Sequence, residues 1–309
     1  MPSPSPRAGE ESNESGTRPF PRAGERGTGA ERGPDDERVA LFREHPPAWW
    51  AWPWRLPRPM TVAELIAAGS LDAQVAALFW VALERRASLL VVAGPNGAGK
   101  TVTLSALLDF LDPAVERRYV QGMAEDFAFA ATTNPATTYL LCNEISDHLP
   151  IYLWGRRVRR LFELVAQGYG LAATLHADST LETLDFLRAP PLDVPGALLA
   201  QVALVATIAV VRRDGRWLRR VSGVDLLQGG SAELSYLSLS TWHRKGDTHV
   251  TEVETYAEPL ARRLGTSPVV LRAAVRARAR LLDGLVARGA TGPSAVRAAL
   301  AAYRASGAP

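Results

Sequence analysis

Apolar residues fall along this chain in two kinds of pattern. The first is the short continuous run: Ser88 to Ala93 (Ser-Leu-Leu-Val-Val-Ala), Tyr139 to Cys142, Leu171 to Leu175 and Leu204 to Val211. A strand covered on both faces reads this way, so four buried strands are expected here. The second is helical spacing. Apolar residues at 75, 78, 79, 82 and 83 lie on one face of a helix over Ala73 to Arg86. Before it, Thr61-Val62-Ala63-Glu64 has the form of a capping box opening onto Leu65 and Ile66, and Gly69 breaks that first helix. Leu104 to Leu111 reads as helix, and Glu116 to Val120 as a further strand. Arg213-Asp214-Gly215-Arg216 reads as a hairpin turn before Trp217 to Leu227. Strands alternating with helices across 88–211 predict an α/β fold with a mostly parallel sheet.

The flanks differ in character. Residues 1–45 are Pro, Gly, Ser, Glu and Arg with almost no large apolar side chain. Nothing there offsets the entropy of ordering, so a disordered tail is expected. Residues 46–87 hold a Trp/Pro strap and the lead-in helices. Four of the eight tryptophans lie at Trp49, Trp50, Trp52 and Trp54, where prolines favour an extended run. Such a strap either packs on its own domain or docks on a neighbouring subunit. The α/β core is expected over 88–227, and a C-terminal strand and helical region over 228–309. Nine arginines and one acid, Asp283, fall between Arg262 and Arg304, and the apolar periodicity there leaves arginines on the outer face.

Composition removes several classes. The longest apolar stretch, Gly196 to Val211, contains Gln201 and Thr207 and is shorter than the roughly 20 residues of a membrane span. It is expected to be a buried helix running into a buried strand. The first residues lack the apolar core of a secretory signal. Cys142 is the only cysteine, which excludes an internal disulfide framework. Net charge is +3, and the basic C-terminal stretch comes with no RNA-binding motif, so nucleic acid is disfavoured as a partner. Among the 35 basic residues only Lys100 and Lys245 are lysines.

One of those lysines closes the most specific motif in the chain. Gly94-Pro95-Asn96-Gly97-Ala98-Gly99-Lys100-Thr101 fits G-x-x-x-x-G-K-[ST] between an apolar strand and a helix. The glycines let successive backbone N–H groups face a phosphate, and the helix that follows presents its positive end. Lys100 would contact the β- and γ-phosphates, and the Thr101 hydroxyl would ligate Mg²⁺. The nucleotide-binding residues expected are therefore Gly94 to Thr101, with Val102 just beyond, and the ligands are ATP and Mg²⁺.

Three later segments extend the reading. Glu125-Asp126 follow a possible strand, Tyr139 to Glu144 is an apolar strand ending in a carboxylate, and Thr174-Leu175-His176-Ala177-Asp178-Ser179 ends another. In this order they resemble the ATPases of type II and type IV secretion and of type IV and tight-adherence pili. In that family the glycine loop is followed by an acidic Asp box, a Walker B strand ending Gly-Glu, and a His box reading roughly G-H-x-G-x-x-x-T-x-H-A-N-S. The resemblance covers about residues 60–309. It implies a RecA-like P-loop core followed by a small helical C-terminal region. It also implies three catalytic residues: Glu144 acting on the attacking water, Glu125 as the Asp-box acid and a second metal residue beside Thr101, and His176 as a γ-phosphate sensor. The activity implied is ATP hydrolysis in a homohexameric ring at the cytoplasmic face of the inner membrane, moving a membrane-embedded platform protein. An ATP-binding regulatory or scaffold subunit without turnover is the alternative. The chain departs from the family at Gly168-Tyr169, where the family has Gly-His, and at Ser146, where an arginine is usual. Asp147 to Pro150 fall in an apparent insertion, and Arg156, Arg157, Arg159 and Arg160 cluster on what reads as a solvated helix face.

Overall fold

A computed structural model describes residues 59–229 and 234–307. The tail 1–45 and the tryptophans of the 46–54 strap lie outside the described residues.

The capping box forms as expected. Thr61 Oγ1 accepts from Glu64 N, and Glu64 Oε2 accepts from Thr61 N, opening helix α1 (Val62–Ala67). Asp72 caps α2 (Ala73–Glu84) through Val75 N. Helix α2 is buried on nearly every side, from Ala73 to Leu83, because it lies between the sheet and the C-terminal helices. Strand β1 (Leu89–Val92) follows, then the glycine loop and α3 (Lys100–Leu107). The rest of the core is β2 (Glu116–Tyr119), β3 (Thr138–Ile145), α4 (Arg156–Ala166), β4 (Gly170–Leu175), α5 (Thr180–Arg188), the single turn α6 (Gly196–Leu199) and β5 (Leu204–Arg213).

These strands make one sheet with three more: β6 (Arg216–Gly229), β7 (Leu234–His243) and β8 (Thr248–Thr251), in the order β2-β3-β4-β1-β5-β6-β7-β8. The strands from β2 to β5 in that order are mutually parallel. The remaining pairings, β5 through β8, are antiparallel. The expected hairpin turn joins β5 to β6, with Asp214 at φ 48° and Gly215 at φ 77°, a pair of left-handed residues suited to a two-residue connection. The boundary expected at 227 falls inside β6, and the sheet continues through β7 and β8.

Alternation along β1 shows why its sequence is continuously apolar. Leu89 and Val91 pack into one core with α2, α3 and the C-terminal helices. Leu90 and Val92 pack into a second core with α4 and its neighbours on the opposite face. The C-terminal helices α7 (Ala257–Arg263), α8 (Pro268–Ala287) and α9 (Pro293–Ala305) close the first of these layers.

One expectation about that region is corrected. The arginines of the C-terminal helices do not all face outward. Arg278 is 5% exposed, its guanidinium stacked on the rings of Trp80 and Tyr303 and bonded to Glu84. A planar, weakly hydrated cation can be buried this way where an ammonium would not fit. Among the described residues no helix is long and apolar enough to cross a membrane.

Candidate functional site

In a parallel sheet the chain leaves every strand at the same edge, so residues just past the ends of β1, β3 and β4 converge. The glycine loop leaves β1 and turns into α3. Gly97 (φ 72°) and Gly99 (φ 96°) adopt left-handed backbone that a side chain would strain, and Gly99 is the N-cap of α3. Gly94 is required for a different reason. A Cβ there would lie 2.2 Å from Asp178 Oδ1, the oxygen that accepts from Gly94 N at 3.0 Å. Asp178 is held in turn by the start of α5, where its own N–H donates to Glu182 and Ser179 caps the helix.

Glu144 reaches this edge through a β-bulge. Cys142 pairs with Ala173, but Ile145 pairs with Leu175, so β3 carries one residue more than β4. The extra residue turns the Asn143–Glu144 segment, as bulges beside functional sites do. Thr174 Oγ1 holds it by donating to Asn143 O at 2.6 Å. Glu144 is 8% exposed.

Lys100, Glu144 and His176 meet in one cluster. Lys100 Nζ lies 3.8 Å from Glu144 Oε2 and 3.1 Å from His176 Nε2. His176 Nδ1 lies 2.8 Å from Gly94 O, and His176 Nε2 lies 3.3 Å from Glu144 Oε1. A carbonyl oxygen can only accept, so Nδ1 carries the proton and in the neutral ring Nε2 has none; Lys100 Nζ, 3.1 Å from Nε2 and 3.2 Å from Nδ1, lies over the ring. A protonated ring would instead donate Nε2–H to Glu144. Burial lowers the Lys100 pKa, partly opposed by the Glu144 charge and its hydrogen bond.

The other expected residues fall as follows. Glu125 is buried, and its carboxylate oxygens accept from Gln121 N at 2.8 Å and Phe127 N at 2.7 Å. It braces its own loop, and each oxygen keeps a second lone pair. Thr101 and Val102 line a cavity of about 800 Å³ beside the loop, together with Asn96 to Lys100. Among the described residues no group of three or more His, Cys, Asp or Glu is arranged to hold a metal ion. Tyr169 sits before β4, at the end away from His176, bonded to Thr133 Oγ1 at 2.9 Å and edge-on to Phe129. Arg159 and Arg160 pair with Glu163 on the exposed face of α4, while Arg157 Nε donates to Glu125 O.

Several residues at the site carried no motif. The loop from Ser146 to Gly155 brings the His148 ring 6.1 Å from that of His176. It also puts Tyr152 at the cavity, where burial and the Glu144 charge raise the phenol's pKa. From the far side β6 supplies Trp217 and Arg219. The only sequence signal for these was the hairpin turn between β5 and β6.

A mixed α/β sheet with a glycine loop, a lysine, a glutamate and a histidine at one edge is the class that the fold and site define. No family model matches the chain. Two proteins of Methanocaldococcus jannaschii, both described as uncharacterized, are similar in sequence. MJ0900 is 24% identical over 259 residues, covering 74% of this chain and 46% of that protein. MJ1287 is 24% identical over 214 residues, covering 62% and 79%. Among solved structures, the VirB11 ATPase of the Brucella suis type IV secretion system, in complex with sulphate, superposes with a TM-score of 0.36 at 20% identity, covering 64% of each chain. The Legionella pneumophila ATPase DotB gives 0.31 at 13%, covering 63% of this chain and 53% of that one. The chain thus spans about half the length of MJ0900 and less than two thirds of either solved chain.

Proposed function

We propose that this chain is a RecA-like ATPase that binds ATP at Gly94–Val102 and hydrolyses it as the motor of a secretion or pilus-assembly machine. The observation that carries the reading is the cluster itself. Lys100 Nζ stands 3.8 Å from Glu144 and 3.1 Å from His176, at the mouth of a glycine loop with the G-x-x-x-x-G-K-[ST] sequence.

The residues fit a triphosphate. Gly97 and Gly99 allow the loop backbone to face an anion, and the start of α3 adds its dipole. Lys100 is a buried cation that an anion would complete. Bound Mg²⁺ would supply charge neutralisation to the phosphates, and Thr101 would hold it, with Glu125 as the second metal residue that the motif resemblance implies. A Mg²⁺ held by one or two side chains and by substrate phosphates needs no preformed cage.

Glu144 is the group to orient the attacking water and take its proton, since it is buried beside the lysine and its bulge aims it at the loop. His176 is bonded to the first residue of the glycine loop and faces both Lys100 and Glu144. A change at the terminal phosphate would reach β4 and α5 through it and Asp178. On this reading the protein works as a homohexameric ring, peripheral to the cytoplasmic face of the inner membrane, and moves a membrane-embedded platform protein. The motif order shared with secretion and pilus ATPases supports this part.

The test is ATP binding by calorimetry with Lys100→Ala. Removing the lysine should abolish measurable affinity while the loop still forms. Equal affinity in the variant would refute the site.

A further inference from the structure

The cavity beside the glycine loop is walled by β5 and β6 and reaches Lys100 and Tyr152, while Glu144 and His176 do not line it. One wall is apolar: Met60 and Leu65 from α1 and its lead-in, Ile208 from β5, and Val221 from β6. Its volume of about 800 Å³ is in the range of small-molecule sites. The β5–β6 register pairs Arg212 with Trp217, Val210 with Arg219 and Ile208 with Val221. Trp217, Arg219 and Val221 alternate along β6, so they share one face of the sheet. An extra β6 residue, Ser222, interrupts the register just beyond them, and its hydroxyl donates to Thr207 O at 3.2 Å.

Arg219 is joined to the glycine loop directly. Its Nε donates to Gly97 O at 3.0 Å, and its Cδ would lie 3.5 Å from a Cβ on Gly99. That bond uses one of the five guanidinium N–H groups. Among the described residues no carboxylate pairs with the other four. Two residues along, Trp217 is 61% exposed, a large aromatic face at the cavity with little protein over it.

We propose that the β5–β6 hairpin is the nucleoside-side clamp of the glycine loop. Trp217 stacks on the nucleobase, and Arg219, anchored on Gly97, pairs with the phosphate chain. This deepens the ATP-binding reading and rests on it. It adds two binding residues from the same chain, on the antiparallel half of the sheet, to those that the glycine-loop motif names. Because the clamp lies on the nucleoside side, it acts on affinity.

Calorimetry with two probes, ATP and inorganic tripolyphosphate, tests the assignment on the full chain. Both side chains are exposed, so alanine at either position removes little packing. Trp217→Ala should weaken ATP about tenfold or more, the scale of losing one base–aromatic stack, and leave tripolyphosphate unchanged. Arg219→Ala should weaken both probes about tenfold, the scale of losing one charged hydrogen bond. If both variants bind both probes like wild type, the clamp is refuted while the ATP-binding reading stands. A Trp217→Ala loss that is equal for the two probes, or an Arg219→Ala variant that binds tripolyphosphate normally, also refutes it. Wild type binding neither probe would refute the ATP-binding reading itself.

Discussion

Gly94→Ala tests how the loop is joined to the strand beside it. Gly94 does not have a left-handed φ, so alanine meets no backbone penalty there. The cost comes from one side chain. The added Cβ would stand 2.2 Å, 2.5 Å and 2.6 Å from Oδ1, Oδ2 and Cγ of Asp178, all well inside contact distance. The carboxylate must swing away, and the 3.0 Å bond from Gly94 N to Asp178 Oδ1 is lost. A hydrogen bond to a charged group is worth about 1.5–3 kcal/mol, and the exposure of Asp178 to water puts this one at the low end. Asp178→Ala breaks the same bond and should cost about the same. The double variant has neither clash nor bond, so it should be no less stable than Asp178→Ala alone. Urea unfolding of the four proteins therefore predicts a coupling of about 1.5 kcal/mol between the two positions, above the roughly 0.5 kcal/mol within which independent sites add. Additive effects would refute this account of Gly94.

Two further variants probe the frame around the site. Arg278→Ala removes a buried guanidinium that lies against the touching rings of Trp80 and Tyr303, and it leaves Glu84 without that partner. It should destabilise the fold by about 3 kcal/mol in urea, and a change below about 0.5 kcal/mol, the range of an ordinary surface substitution, would refute the structural role. Asp247 ties the end of β7 to β6, accepting from Arg220 and Trp242, and the Arg220 hydrogen bond is the main cause holding its pKa down at about 2 against an ordinary 3.8. A depressed carboxylate pKa contributes stability above the unfolded value and loses it as pH falls through the folded one. The stability difference between wild type and Asp247→Asn should thus be full near neutrality and shrink between about pH 4 and pH 2; a difference constant across that window would refute it.

The parallel half of the sheet was legible because burial on both faces leaves a continuous apolar run, as in Leu89–Val92 and Gly170–Leu175. The hairpin turn was legible because Asp-Gly suits its left-handed backbone. Strands β7 and β8 were largely not. Half their residues face solvent, and Leu234 to Leu237 has no clean alternation. At the site, Lys100 could be placed from the glycine loop alone, since few contexts require that spacing. The approach of Glu144 depends on one extra residue in β3, which shows only in the pairing with β4. Arg219 and Arg278 were hidden by abundance: in a chain with 33 arginines a functional or buried one carries no compositional signal. Their roles come from long-range pairing, with Gly97 in one case and Trp80 in the other.

The proposed function requires that the Lys100–Glu144–His176 cluster hydrolyse ATP. Steady-state phosphate release, measured for wild type and Glu144→Gln with ATP binding checked in parallel, tests it most directly. Glutamine keeps the size of the side chain but cannot take a proton, so the variant should bind ATP like wild type and release phosphate about 10²-fold more slowly or worse. A Glu144→Gln protein turning over at the wild-type rate would contradict the assignment of Glu144. Wild type that binds ATP without releasing phosphate above background would contradict the motor and leave an ATP-binding scaffold in its place.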